Sequence, residues 1–136
     1  MNRPSSFVPT VARALLASLF LISGIGKIAA PAATKAYIAY AGLPLPDVAY
    51  LIAIFVEVGL GTALLLGYRT RLVAWLMAAF TLASAFAFHA HFGDPAQMTN
   101  FLKNLAITGG LLQVAIYGAG SFALDNLIGL RRTQTA

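Results

Sequence analysis

The sequence predicts an all-α fold: a bundle of four transmembrane helices, with the N and C termini both cytoplasmic. Of its 136 residues, 60% are hydrophobic and only 10% are charged, and the mean hydropathy is +0.82, unlike a soluble domain. Four apolar segments are each long enough to cross a hydrocarbon core about 30 Å thick as a helix. We expect a single membrane domain over residues 1–136, because the spans and their short loops leave no room for a second.

The four spans are expected at about residues 8–30, 46–67, 71–92 and 97–120. The first span carries Arg13 and Lys27. It resembles a signal peptide, but its apolar run continues through Lys27, so we expect a retained span. Pro46 and Gly67 stand at helix-starting and helix-ending positions of the second span.

Two further segments are too short or too polar to cross. Residues 31–46 carry Tyr37, Ile38 and Tyr40 beside Lys35, which predicts a short interfacial helical segment between the first two spans. The tail after Gly120 predicts a short surface helix.

Basic residues divide unequally between the two predicted sides of the membrane. Three lysines fall on one side and six arginines on the other, so the arginine side should be cytoplasmic. The lysines are Lys27, Lys35 and Lys103, and the arginines are Arg3, Arg13, Arg69, Arg71, Arg131 and Arg132. This rule also explains the net charge of +5, so we expect no nucleic-acid partner. With no cysteine in the chain, disulfide exchange and thiolate-ligated metals are excluded.

Ionisable side chains at membrane depth are costly, so each is a candidate functional residue. Glu57 lies 11 residues after Pro46 (57 − 46), or about 16 Å along the helix, near the bilayer midplane. It must be protonated, paired or turned toward a polar cavity. The outward halves of the other spans supply polar groups that can meet it in one pocket: Lys27, His89, Lys103 and Asn104.

Each candidate also has a plain structural explanation. Lys27 and Lys103 can extend to the lipid headgroups, Glu57 can belong to an ion pair that fixes helix register, and His89 can be merely interfacial. Arg13 is better explained as a boundary residue than as part of a site. His89 and His91 stand two apart on a predicted helix and point to different faces, so we expect no metal site.

These stretches together resemble the DoxX family of small bacterial inner-membrane proteins. The resemblance covers about residues 10–125, and the matching segments are residues 13–27, 41–46, 57–71, 88–89 and 101–112. It implies a four-helix, multi-pass protein of the bacterial inner (plasma) membrane. It also implies a link to membrane oxidoreductase complexes, including thiosulfate:quinone oxidoreductase, while more distant relatives act as chaperones. The family's motif positions fall on Lys27, Glu57, His89, Lys103 and Asn104.

The leading hypothesis is a membrane subunit of a quinone-linked oxidoreductase assembly, whose outward pocket binds a quinone headgroup. Lys103, Asn104 and His89 can donate to the quinone oxygens, and Glu57 can pass protons. Because the chain carries no redox cofactor motif, electrons must come from a partner redox subunit. The other expected partner is a second copy of the chain, in a homo-oligomer. The alternative is a non-catalytic scaffold or assembly protein that uses the intramembrane ion pair structurally. A small transporter has less support, since no inverted repeat or broken helix is visible.

Overall fold

The described part of the chain is helical and contains no β-strand. A computed structural model describes residues 7–134, and their side chains as far as residue 129. Its helices are α1 (Val8–Ala29), α2 (Pro31–Tyr40), α3 (Pro46–Leu66), α4 (Thr70–His89), α5 (Pro95–Tyr117) and α6 (Leu124–Gln134). The prediction of an all-α protein with a helical segment between the first two spans is confirmed.

Three of these helices, α1, α3 and α4, are long and apolar enough to cross a membrane. The fourth predicted span corresponds to α5, which has 23 residues but does not belong to that group among the described residues. Its first half carries polar side chains, including Asn100, Lys103 and Asn104, and these lower its hydropathy. The fourth crossing and the cytoplasmic termini therefore stay predictions.

Helix boundaries follow local chain signals. Helix α3 begins at Pro46 and is followed by Gly67, whose φ of +72° ends it in the left-handed conformation that glycine tolerates best. The Asp94 carboxylate accepts a hydrogen bond from the Ala96 N–H at 2.9 Å and starts α5. Helix α4 ends at His89, so His91 lies beyond it. The expectation that both histidines share one helix is wrong.

A π-helical stretch, Phe55–Leu60, interrupts the α-helical hydrogen bonding of α3. It contains Glu57, the ionisable residue predicted at the midplane. The hydrophobic pattern of this segment gives no sign of the irregularity. Such stretches are rare and often lie at functional sites, because the widened turn redirects the side chains that it carries.

Helices α4 and α5 pack most extensively against each other. The buried core consists of small and apolar side chains: Ala17, Phe20, Val56, Leu64, Val73, Ala74, Met77, Ala78, Leu111 and Ala115. Large apolar side chains such as Leu15, Ile22 and Phe55 are exposed on the outside of the helices. A surface of this kind suits lipid rather than water.

Arg13 connects two helices and the segment after α5 at the predicted cytoplasmic end. Its side chain is 2% exposed and donates to the carbonyl oxygens of Ala119, Phe122 (2.8 Å) and Leu65 (3.4 Å). Arg13 therefore does more than mark a boundary, because it holds α1 against the end of α3 and the segment after α5. Among the other arginines used to predict orientation, Arg3 lies outside the described residues, as do the side chains of Arg131 and Arg132.

Candidate functional site

A cavity of about 780 Å³ opens between the helices in the half of the bundle where α2 lies. Helices α1 to α5 all contribute to its lining, and apolar side chains make up most of it. All five residues that the sequence singles out line this one cavity: Lys27, Glu57, His89, Lys103 and Asn104. The structure thus brings the predicted set together, while its role in binding a ligand stays a prediction.

Lys27 and Glu57 form an ion pair across α1 and α3. The Lys27 Nζ donates to Glu57 Oε1 at 3.0 Å and to Oε2 at 2.9 Å. Its third hydrogen bond goes to the Ser23 Oγ at 2.8 Å. The Glu57 side chain is 8% exposed and that of Lys27 is 29% exposed. Pairing offsets the cost of removing both charges from water, and it leaves the pair neutral at the cavity wall.

The backbones of α1 and α3 approach closely beside this ion pair. At Gly24, a Cβ atom would lie 2.6 Å from Val58 Cγ2 and 3.0 Å from Glu57 Cβ. Only glycine fits there without separating the helices. Gly24 precedes Lys27 by one helical turn and faces the π-helical stretch, so the close approach fixes where both charged side chains begin.

His89 is oriented by its own hydrogen bond. Its Nδ1 lies 2.7 Å from the Gln97 Oε1, which places the ring of the last α4 residue against the first turn of α5. The preceding residue, Phe88, stacks nearly parallel on Tyr37 of α2, with ring centroids 5.4 Å apart and planes 13° apart. Phe88, Tyr37 and His89 all line the cavity, so one of its walls is aromatic.

One face of α5 supplies a polar wall. Asn100, Lys103, Asn104 and Ile107 line the cavity at the spacing of one helix face. The Lys103 ammonium has no acidic partner among the described residues, and the Asn100 and Asn104 amides have no hydrogen-bond partner there. These three side chains can therefore donate to a bound molecule.

Several lining residues are not among those predicted from the sequence. Asn100 precedes Asn104 by about one turn, and this spacing is the signal that could have identified it. Ser23 and Ser84 also line the cavity, although neither hydroxyl is costly enough in a helix to stand out. Tyr37 and Phe88 could not be paired from sequence, because their contact depends on how α2 folds back. Within the described residues, no three His, Asp or Glu side chains are grouped to hold a metal ion.

Comparisons with known proteins agree with this architecture. The sequence profile of the DoxX family matches residues 8–90. Inner membrane protein YqjF of Escherichia coli is 41% identical over 121 residues, which cover 87% of this chain and 89% of the relative. Inner membrane protein YphA of the same organism is 36% identical over 120 residues, 85% of this chain and 86% of the relative. No solved structure matches.

The profile match spans more than half of the chain, and both relatives align over most of their length. The apolar helices α1, α3 and α4 fit a membrane-embedded, multi-pass protein, and both relatives are named as inner-membrane proteins. The chain is thus an inner-membrane protein that belongs to the DoxX family.

Proposed function

We propose that this protein is the membrane subunit of a quinone-linked oxidoreductase assembly and that its cavity binds a quinone headgroup. The observation that carries the proposal is one cavity of about 780 Å³ that combines apolar walls with the five polar side chains singled out in the sequence. A cavity of this size accommodates a small ring and its first isoprenoid units. A dry, closed ion-pair cluster would instead have favoured a structural role.

The lining residues match both parts of a quinone headgroup, which are its apolar ring and its polar oxygens. The apolar ring faces can pack against the wall formed by Tyr37 and Phe88. Asn100, Lys103 and Asn104 supply donors for the ring oxygens from a single helix face. A quinone accepts two electrons and two protons on becoming a quinol, and the electrons come from a partner subunit with its own redox cofactor.

Glu57 is the residue best suited to hold a transferable proton. Its carboxylate lies at the cavity wall and is hydrogen-bonded to the Lys27 ammonium at 2.9–3.0 Å. The Glu57 carboxylate can accept an arriving proton and release it again. The Lys27 ammonium, which already holds all of its protons, can only give one to Glu57 and must then be reprotonated. The Ser23 hydroxyl, 2.8 Å from the Lys27 Nζ, extends this chain by one further group.

The proposed topology has four crossings, with both termini in the cytoplasm. At 1.5 Å per residue, the 23 residues of α5 extend about 35 Å, enough to span the hydrocarbon core. Three of its polar side chains, Asn100, Lys103 and Asn104, line the cavity, which lowers the cost of placing them at membrane depth. The cavity then opens in the periplasmic half, and α2 lies at the outer interface.

The ion pair also supports a second candidate function, a non-catalytic scaffold. Glu57 is nearly buried and both of its oxygens are hydrogen-bonded, as expected for a pair that fixes how α1 and α3 pack. In that case the bundle binds partner subunits and the cavity holds only lipid. The two candidates differ in what happens when the charge of Glu57 is removed.

A Glu57→Gln variant separates them. We expect wild type to gain thermal stability when a soluble short-tailed ubiquinone analogue is added, and the variant to fold but to show at least tenfold weaker binding. Asp47→Asn is the matched control, because Asp47 pairs with Lys35 at 2.7 Å outside the cavity and is 79% exposed; its response should equal wild type. An unfolded Glu57→Gln variant together with an unresponsive wild type would support the scaffold and refute quinone binding.

A further inference from the structure

The charged side chains that line the cavity carry a net positive charge, because one of them has no acidic partner in the part of the chain that the structure describes. Of the four acidic residues, each is engaged by a group other than Lys103. Glu57 pairs with Lys27, Asp47 pairs with Lys35, Asp94 caps α5, and Asp125 accepts from the Arg69 and Thr70 N–H groups. Among the described residues, no acidic side chain forms an ion pair with Lys103.

Lys103 thus gives the cavity lining a formal charge of +1, with Lys27 and Glu57 cancelling and His89 counted as neutral. Lys103 is an exposed residue that also lines the cavity, so solvent screens part of its charge. The apolar walls lower the screening on the cavity side, so its attraction for an opposite charge inside the cavity is stronger than in bulk water. The amides of Asn100 and Asn104 lie one helical turn apart on the same face. Both can donate to oxygen, and neither brings a negative charge of its own.

We propose that the cavity selects ring molecules that carry an ionised oxygen, with the Lys103 ammonium as counter-ion and the Asn100 and Asn104 amides beside it. This inference rests on the proposed quinone site and names the charge state of its ligand. The ligand class is a hydroxyquinone, or a quinol in its anionic form, whose ring packs along the Tyr37 and Phe88 wall. A neutral ring of the same shape leaves the Lys103 charge uncompensated.

Two naphthoquinones of nearly equal shape test this directly. In 2-hydroxy-1,4-naphthoquinone the hydroxyl is ionised at neutral pH, whereas the 2-methoxy compound is neutral. Binding of each to the purified protein is measured by equilibrium dialysis in a non-ionic maltoside detergent, which offers Lys103 no lipid phosphate. We expect wild type to bind the hydroxy compound about tenfold or more tightly than the methoxy compound, the size of a charge-assisted hydrogen bond.

Substitutions assign that preference to one side chain. Lys103→Gln should bind both compounds with the affinity that wild type shows for the methoxy compound, while Lys103→Arg should keep most of the preference. Lys35→Gln removes a cation from the same half of the molecule but outside the cavity, and it should behave as wild type.

The outcomes separate this inference from the function on which it rests. If wild type and Lys103→Gln bind both compounds equally, the charge selection is refuted and the quinone site stands, with Lys103 directed to lipid phosphates. If Lys35→Gln loses the preference for the hydroxy compound as fully as Lys103→Gln does, the preference comes from the overall positive charge and not from Lys103 as a specific counter-ion. That result also overturns the inference. If neither compound binds, the inference and the quinone site both fail.

Discussion

At the scale of single residues, Gly24 and the ion pair beside it depend on each other. The Gly24→Ala methyl group would lie 2.6 Å from Val58 Cγ2 and 3.3 Å from the Val58 backbone N, so α1 and α3 must separate. We expect the free energy of unfolding to fall by about 1–3 kcal/mol, the usual cost of overpacking, as measured by denaturant titration in detergent. Gly26→Ala is the control, because nothing lies within 4 Å of its added Cβ. Equal effects of the two substitutions would contradict the close approach.

The cost of burying a charge explains why the charged residues of the cavity lining can be identified from the sequence. A carboxylate or an ammonium inside an apolar helix needs a partner or a cavity, so Lys27, Glu57 and Lys103 stand out from the amino-acid sequence alone. Hydroxyl groups carry no such signal, because a serine in a helix can satisfy itself by bonding to its own backbone. For this reason the role of Ser23, which accepts from Lys27, is not predictable from its position in the chain.

At the scale of helices, Asp125 joins the start of α6 to the start of α4. Its carboxylate accepts from the Arg69 N–H at 2.7 Å and the Thr70 N–H at 2.9 Å, two donors that the helix itself leaves unsatisfied. Partial burial raises the pKa of Asp125, but hydrogen bonding to Thr70 and Arg69 and the nearby Arg13 charge outweigh it and bring the pKa below its ordinary value.

This lowered pKa predicts a pH-dependent stability. The stabilisation is complete above the ordinary aspartate pKa of about 3.9 and is lost as the pH falls through the lower folded-state value. Asp125→Asn should therefore be less stable than wild type by about 1 kcal/mol between pH 5 and 8, and the difference should shrink below about pH 4. Thermal unfolding across this range measures it. A difference that grows at acid pH would contradict the assigned role.

Helix ends are predictable where a residue type enforces them and not elsewhere. Pro46 and Gly67 mark the limits of α3 in the sequence, and the helix begins and ends there. The π-helical stretch at Phe55–Leu60, which packs against α1 at Gly24, has no comparable signal in the sequence. The predicted end of α4 lies three residues too late for a similar reason, since no breaker residue follows His89 before Gly93.

At the scale of the whole molecule, the number of crossings can be tested because the chain contains no cysteine. Single cysteines are introduced by Tyr68→Cys after α3, Gly93→Cys between α4 and α5, and Ser121→Cys after α5. With a membrane-impermeant maleimide on spheroplasts, we expect Gly93→Cys to react at once. Tyr68→Cys and Ser121→Cys should react only after the membrane is permeabilised. Reaction of Ser121→Cys in intact spheroplasts would show that α5 does not cross.

The central claim, that the cavity binds a quinone, is tested most directly by what the protein carries out of its native membrane. Wild type, Ala87→Phe and Ala79→Phe are purified and their extracted lipids are analysed for quinone by chromatography. Ala87 lines the cavity, while Ala79 is exposed on the outside of the same helix. The account predicts quinone at close to one molecule per protein in wild type and Ala79→Phe, and a large loss in Ala87→Phe. Equal quinone in all three folded proteins, or none in wild type, would contradict it.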